Sequence, residues 1–173
     1  MVKTVSCPTG QPNVSVIELW ADPRQMQGSG ADRDSRRAEL GLTGKFIAMY
    51  AGNLGIGHCA ETLCEAIEAS SSSGHLRWVL VGSGIGRVHL ARVANRSSFL
   101  HLVSLCPGFD AVMFPSKFLA AIASGTPMVA ICDADSELGR IVMTERIGIV
   151  VAPGDARALV ESLELLRHSP PIA

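Results

Sequence analysis

The chain has 173 residues, 47% of them hydrophobic and only 5% aromatic, with 17 glycines and a formal charge of −1. That length supports one domain with a real core. The near-zero charge argues against non-specific nucleic-acid binding, and no apolar run approaches the ~20 residues of a membrane-spanning helix.

Residues 1–12 read as a disordered tail with one lysine and no apolar centre, unlike a secretory leader. "NVSVIELW" (13–20) predicts a strand, and "GSGADRDSRR" (28–37) a polar linker entering a short helix that ends near Gly41. "KFIAMYAG" (45–52) is a buried strand and "HCAETLCEAIEA" (58–69) a helix with Leu63, Ala66 and Ile67 on one side. A serine-rich turn (70–74) leads to the strand "LRWVLVG" (76–82), a helix over 86–95 and a strand over 99–105. A helix from Pro115 to Gly125 follows, then a strand (127–131), a helix (136–145), a strand (148–152) and a helix (155–167) capped by Asp155. The tail 169–173 closes the chain.

Apolar strand runs alternating with helices predict an α/β fold: a Rossmann-like parallel sheet with helices on both faces, spanning 13–168 as one domain. In such sheets ligands sit where strands end and helices begin, so the strand-to-helix turns are the places to look.

The turn "AGNLGIGH" (51–58) offers Gly52, Gly55 and Gly57, which let backbone amides approach an anion or simply make a tight turn. It is neither G-x-G-x-x-G nor a P-loop. The turn "VGSGIGR" (81–87) offers Ser83 and Arg87, the latter a solvated helix residue or an anion contact. No acid follows where a dinucleotide fold needs one for the ribose, which argues against a dehydrogenase. In "FPSKFLAAIASGTPMV" (114–129), Ser116 and Lys117 stand in the first helical turn, where a cation opposes the helix dipole by ~0.3–1 kcal/mol. A diphosphate would resolve that conflict, or Lys117 is a surface lysine that tolerates it. In "CDADSELGRI" (132–141), Asp133, Asp135 and Glu137 either cap a helix or supply a carboxylate to sugar hydroxyls. His58 reads mainly as a helix-start residue. Cys7, Cys59, Cys64, Cys106 and Cys132 form no C-x-x-C pair and read as reduced thiols rather than metal ligands.

Together, "KFIAMYAGNLGIGHCAETLCEAI", "WVLVGSG", "HLVSL", "FPSKFLAAIASGTPMVAI", "DSELGRIV" and "GIVVAPGDARALVESLELL" resemble, in order and spacing from about Val14 to Arg167, the carboxyl-terminal half of glycosyltransferase family 4 enzymes. The branch that builds bacterial surface polysaccharides is the most similar, and "IELWAD" (17–22) resembles its hinge strand. The resemblance implies one half of a GT-B fold that binds the nucleoside-diphosphate sugar as substrate, without a cofactor or metal. It places Gly52, Asn53, Gly55 and Ser83 in the donor-binding turns, Ser116 and Lys117 on the phosphates, and Glu137 on the nucleotide ribose. Lys117 would stabilise the leaving group electrostatically in a retaining hexosyl transfer to a polysaccharide or lipid-linked acceptor. A separate acceptor-binding domain or subunit would be required as partner. The setting implied is cytoplasmic, with peripheral association at the inner face of the membrane.

Four departures from the pattern keep a second reading open, a non-catalytic nucleotide-binding or interaction module. Only the carboxyl-terminal half is matched. Ile56 replaces a basic residue common in the first glycine turn. The family's pair of glutamates is missing, with Val112 and Ala120 in their places. The stretch between Asn95 and His101 is too short for the further strand, loop and helix that relatives hold there.

Overall fold

The computed structural model describes residues 2–5, 14–17, 35, 37–82, 100–109, 113–123 and 126–168. The helix expected over 86–95 lies outside them, as do Ser83, Arg87, Val112 and Gly125. Residues 1–12 were expected to lack structure, yet β1 (Val2–Val5) pairs antiparallel with β2 (Val14–Ile17) in a two-stranded sheet. Both segments are rich in valine, whose branched side chain favours extended backbone.

The main sheet holds β3 (Phe46–Ala51), β4 (Leu76–Val81), β5 (His101–Ser104), β6 (Met128–Ile131) and β7 (Gly148–Val151). All its pairings are parallel, in the order β4-β3-β5-β6-β7. Among the described residues the helices α1 (Ala60–Ala69), α2 (Lys117–Ala123), α3 (Glu137–Thr144) and α4 (Ala156–Arg167) accompany it, and Ser35 and 37–39 are also helical, where the short helix ending near Gly41 was expected. The Rossmann-like α/β architecture expected from the sequence is therefore the one observed.

Alternation along the strands divides the core into two layers. Ala48, Tyr50, Leu102, Val129 and Ile131 join Leu63, Ile67, Leu159 and Leu163 of α1 and α4 on one face. Val103, Met128 and Ala130 join Phe118, Ala121, Leu138 and Val142 of α2 and α3 on the other. All four residues of β6 are buried, because helices cover it from both sides. In α1, Leu63, Ala66 and Ile67 recur at helical spacing and face the sheet, while Glu61, Glu65 and Glu68 are exposed. Ser70 ends that helix, and its hydroxyl accepts from the buried Trp78 indole at 2.9 Å, so the indole N–H is not left unsatisfied. The Asp155 carboxylate accepts from the Ala158 amide at 2.8 Å and starts α4, as its sequence position predicts.

Leu163 is fully buried between α4 and the sheet. Leu163→Ala should lower unfolding stability by ~2–5 kcal/mol through lost burial and the cavity left behind, measured as a shift of the urea midpoint.

Candidate functional site

The chain passes from β3 outward to β4, and then β5 lies on the opposite side of β3. Successive connections thus diverge from the β3/β5 boundary, the place at the carboxyl ends of the strands where sheets of this kind hold their ligands. Tyr50 and Gly52 at the end of β3, His58 in the turn that follows, Ser104 at the end of β5 and Lys117 at the start of α2 converge at this boundary.

The glycines have different tasks. The Gly52 amide donates to the Val81 carbonyl at 2.6 Å, so it extends the β3–β4 ladder and is not available to a ligand. Gly52 has φ +126, and a Cβ there would collide with Cε of Lys117. Gly82 has φ +147, and a Cβ there would collide with the Gly52 carbonyl. These two positions are glycine because two strand ends and a lysine meet in one place. Gly57 lies under Phe109 and Met113, and its carbonyl accepts from the Cys106 amide at 2.9 Å. Among the described residues, the amides of Leu54, Gly55, Ile56 and Gly57 donate to no protein acceptor. Backbone amides without an acceptor are the groups through which such a turn can meet an anion.

Lys117 is half-buried. Its ammonium donates to the Tyr50 hydroxyl at 2.8 Å and lies 4.2 Å from the Tyr50 ring centroid. Burial lowers its pKa from the ordinary lysine value. The sequence predicts a helix from Pro115, but α2 begins at Lys117 itself and has seven residues. Pro115 and Ser116 precede it, their carbonyls accepting from Phe118 and Leu119. The charge is met by an aromatic oxygen and π face, and among the described residues no carboxylate pairs with it.

The Tyr50 hydroxyl also donates to the Asn53 carbonyl at 3.2 Å. Burial pushes its pKa up to about 12, so the phenol stays neutral. His58 is half-buried, with its ring edge-on to Tyr50 at 6.0 Å between centroids. Its Nδ1 donates to the Ser104 carbonyl at 2.9 Å, which fixes the Nδ1–H tautomer. Burial lowers the His58 pKa below 6.5, the Lys117 charge adds to that lowering, and the Ser104 bond opposes it. The buried Ser104 hydroxyl makes no well-aligned hydrogen bond among the described residues, but it lies near enough to the Tyr50 hydroxyl to oppose in part the effect of burial on that phenol.

The remaining predicted site residues are more dispersed. Asn53 and Ser116 are exposed beside Gly52 and Lys117 in sequence, and Gly55 is half-buried. Glu137 is exposed in the first turn of α3, at the same carboxyl edge, without a contact to Lys117 among the described residues. The α3 cap is Ser136, whose hydroxyl accepts from the Gly139 amide at 3.1 Å. The neighbouring acids are thus not the capping group. The thiols of Cys59 and Cys106 approach to 3.2 Å, and the four described cysteines are free. Among the described residues no three His, Cys, Asp or Glu side chains are grouped to hold a metal, and no helix is long and apolar enough to cross a membrane. Sequence reasoning missed Tyr50, whose signal was being the chain's single tyrosine at the end of a buried strand. It also missed Ser104, which had no signal apart from its strand-end position.

No protein-family model matches the chain. It is 26% identical to WcaI of Escherichia coli (strain K12), named as a colanic acid biosynthesis glycosyl transferase, over 98% of this chain and 48% of WcaI. The chain thus spans about half the length of that curated relative. The crystal structure of the C-terminal domain of the glycosyl transferase group 1 family protein LpcC from Francisella tularensis matches with a TM-score of 0.60 at 13% identity, over 86% of this chain and 88% of that domain. The first is a sequence similarity to a glycosyl transferase, and the second shows a shared fold.

The site's electrostatics set a pH dependence. His58 and His101 both have pKa values lowered below 6.5, chiefly by burial. The unfolded chain binds their protons first, so their contribution to stability is intact above the unfolded value and is lost as pH falls through the folded values. Urea unfolding should give a lower midpoint at about pH 5.5 than at about pH 7.5, with a smaller difference in the double variant His58→Gln/His101→Gln.

Proposed function

We propose that this chain binds the nucleoside-diphosphate end of a sugar donor and serves as the donor half of a retaining glycosyltransferase. The observation that carries the reading is the Lys117 ammonium laid across Gly52 at the β3/β5 boundary, at the start of a turn whose amides from Leu54 to Gly57 donate to no acceptor among the described residues. Consecutive amides suit phosphate oxygens, and a half-desolvated ammonium interacts with them more strongly than a solvated one. The similarity to WcaI supports transferase chemistry. In that role Lys117 stabilises the charge that develops on the departing diphosphate. Asn53, Gly55, Ser83 and Ser116 complete the phosphate-facing turns, Glu137 holds the ribose, and Gly52 serves by letting Lys117 lie close. The transferred group is a hexosyl unit, and the acceptor is a polysaccharide precursor or a lipid-linked sugar at the cytoplasmic membrane face. Transfer needs an acceptor-binding domain or subunit, because the nucleophile must be held within reach of the anomeric carbon.

A non-catalytic binding module is the second reading. Ile56, 80% exposed on the glycine turn where relatives carry a basic residue, favours it.

Calorimetric titration with UDP and with GDP tests the donor site. At least one should bind, and Lys117→Ala should weaken it by about 10- to 100-fold, the worth of a hydrogen bond to a charged group. Failure of both nucleotides to bind the wild-type chain would refute the donor reading, and turnover of a nucleotide sugar by this chain alone would refute the need for a partner domain.

A further inference from the structure

A lysine that meets an anionic ligand has to be held in place without being neutralised. A carboxylate partner would hold it and cancel the charge. A neutral acceptor holds it and leaves the full charge for the ligand. Tyr50 has the second character. Its hydroxyl oxygen accepts from the Lys117 ammonium at 2.8 Å, and its ring lies 4.2 Å from the same nitrogen. The hydroxyl hydrogen goes to the Asn53 carbonyl at 3.2 Å. One phenol therefore joins the lysine to the glycine turn, with its donor and its acceptor functions spent on different elements. The ring itself is fully buried at the end of β3, so its rotamer is fixed by packing against the core shared with α1 and α4. Gly52 supplies the open space through which the lysine stem reaches the phenol.

We infer that Tyr50 is a positioning residue: it pins the Lys117 ammonium over the glycine turn and sets the shape of that turn through Asn53, so that charge and amides face a phosphate group together. Its raised pKa is consistent with this, since a phenol that stays neutral keeps both functions. Only the ligand part of the inference rests on the donor-site reading. The pinning itself is a property of the chain without ligand.

The test is Tyr50→Phe in the full chain, which retains the ring and removes only the hydroxyl. The first readout needs no nucleotide: acylation of lysine amines by acetic anhydride, followed by peptide mass spectrometry. Loss of the acceptor destabilises the ammonium, so Lys117 should react roughly ten-fold faster in the variant. Lys45, whose amine donates to the Gly74 carbonyl away from the cluster, serves as the internal reference and should not change. An unchanged or slower rate at Lys117 overturns the pinning, and an equal acceleration at Lys45 overturns it too by revealing general loosening. The second readout is UDP and GDP affinity, which should fall by roughly ten-fold in the variant. Equal affinity of variant and wild type overturns the positioning role. Wild-type chain that binds neither nucleotide defeats the donor reading and the ligand part of this inference with it, while the acylation result still decides whether Tyr50 holds Lys117.

Discussion

A half-buried ammonium must be compensated from within the protein, and that requirement organises the carboxyl edge of the sheet. The Lys117 stem crosses Gly52, and its nitrogen ends on the oxygen and the π face of Tyr50. For the stem to pass, Gly52 can carry no side chain. For Gly52 to sit where it does, its carbonyl must lie against Gly82, which can carry none either. Two glycines at the ends of adjacent strands, one tyrosine and one lysine therefore form a mutually dependent set. Changing any of them alters the space available to the others.

The same set explains why the glycine-rich turn is not uniform. Gly52 spends its amide on the β3–β4 ladder and contributes shape. The amides from Leu54 to Gly57 donate to no acceptor among the described residues. Gly57 is packed from below by Phe109 and Met113, and its carbonyl is tied to Cys106, so the far end of the turn is anchored to the segment after β5. The near end is anchored to Tyr50 through Asn53. A turn held at both ends has fewer conformations open to it than a free loop.

Much of the fold was legible because the signals were local. Unbroken apolar runs such as "FIAMYA" announce strands buried on both faces, and the Leu63/Ala66/Ile67 spacing announces the inner side of α1. Asp155 stood where a cap belongs. The sequence misled where a choice depended on tertiary contacts. Pro115 invites a helix start, yet α2 begins two residues later at Lys117. The acids before α3 look like caps, but Ser136 takes that position because its hydroxyl reaches both the Gly139 amide and the Asp133 carbonyl. At the site, the question of what answers the charge of Lys117 was visible in the sequence. Its answer within the chain, Tyr50, is 67 residues away and could be read only from the folded chain.

The seam between β3 and β5 carries a further consequence. Among the described residues those strands share a single register pair, Met49 with His101, and one ladder bond from the Met49 amide to Leu100. By contrast, β3 and β4 run together over six pairs. Tyr50 and Gly52 flank the carboxyl end of that boundary on one side and Ser104 on the other. A molecule that gripped both sides would act as a splint between β3 and β5.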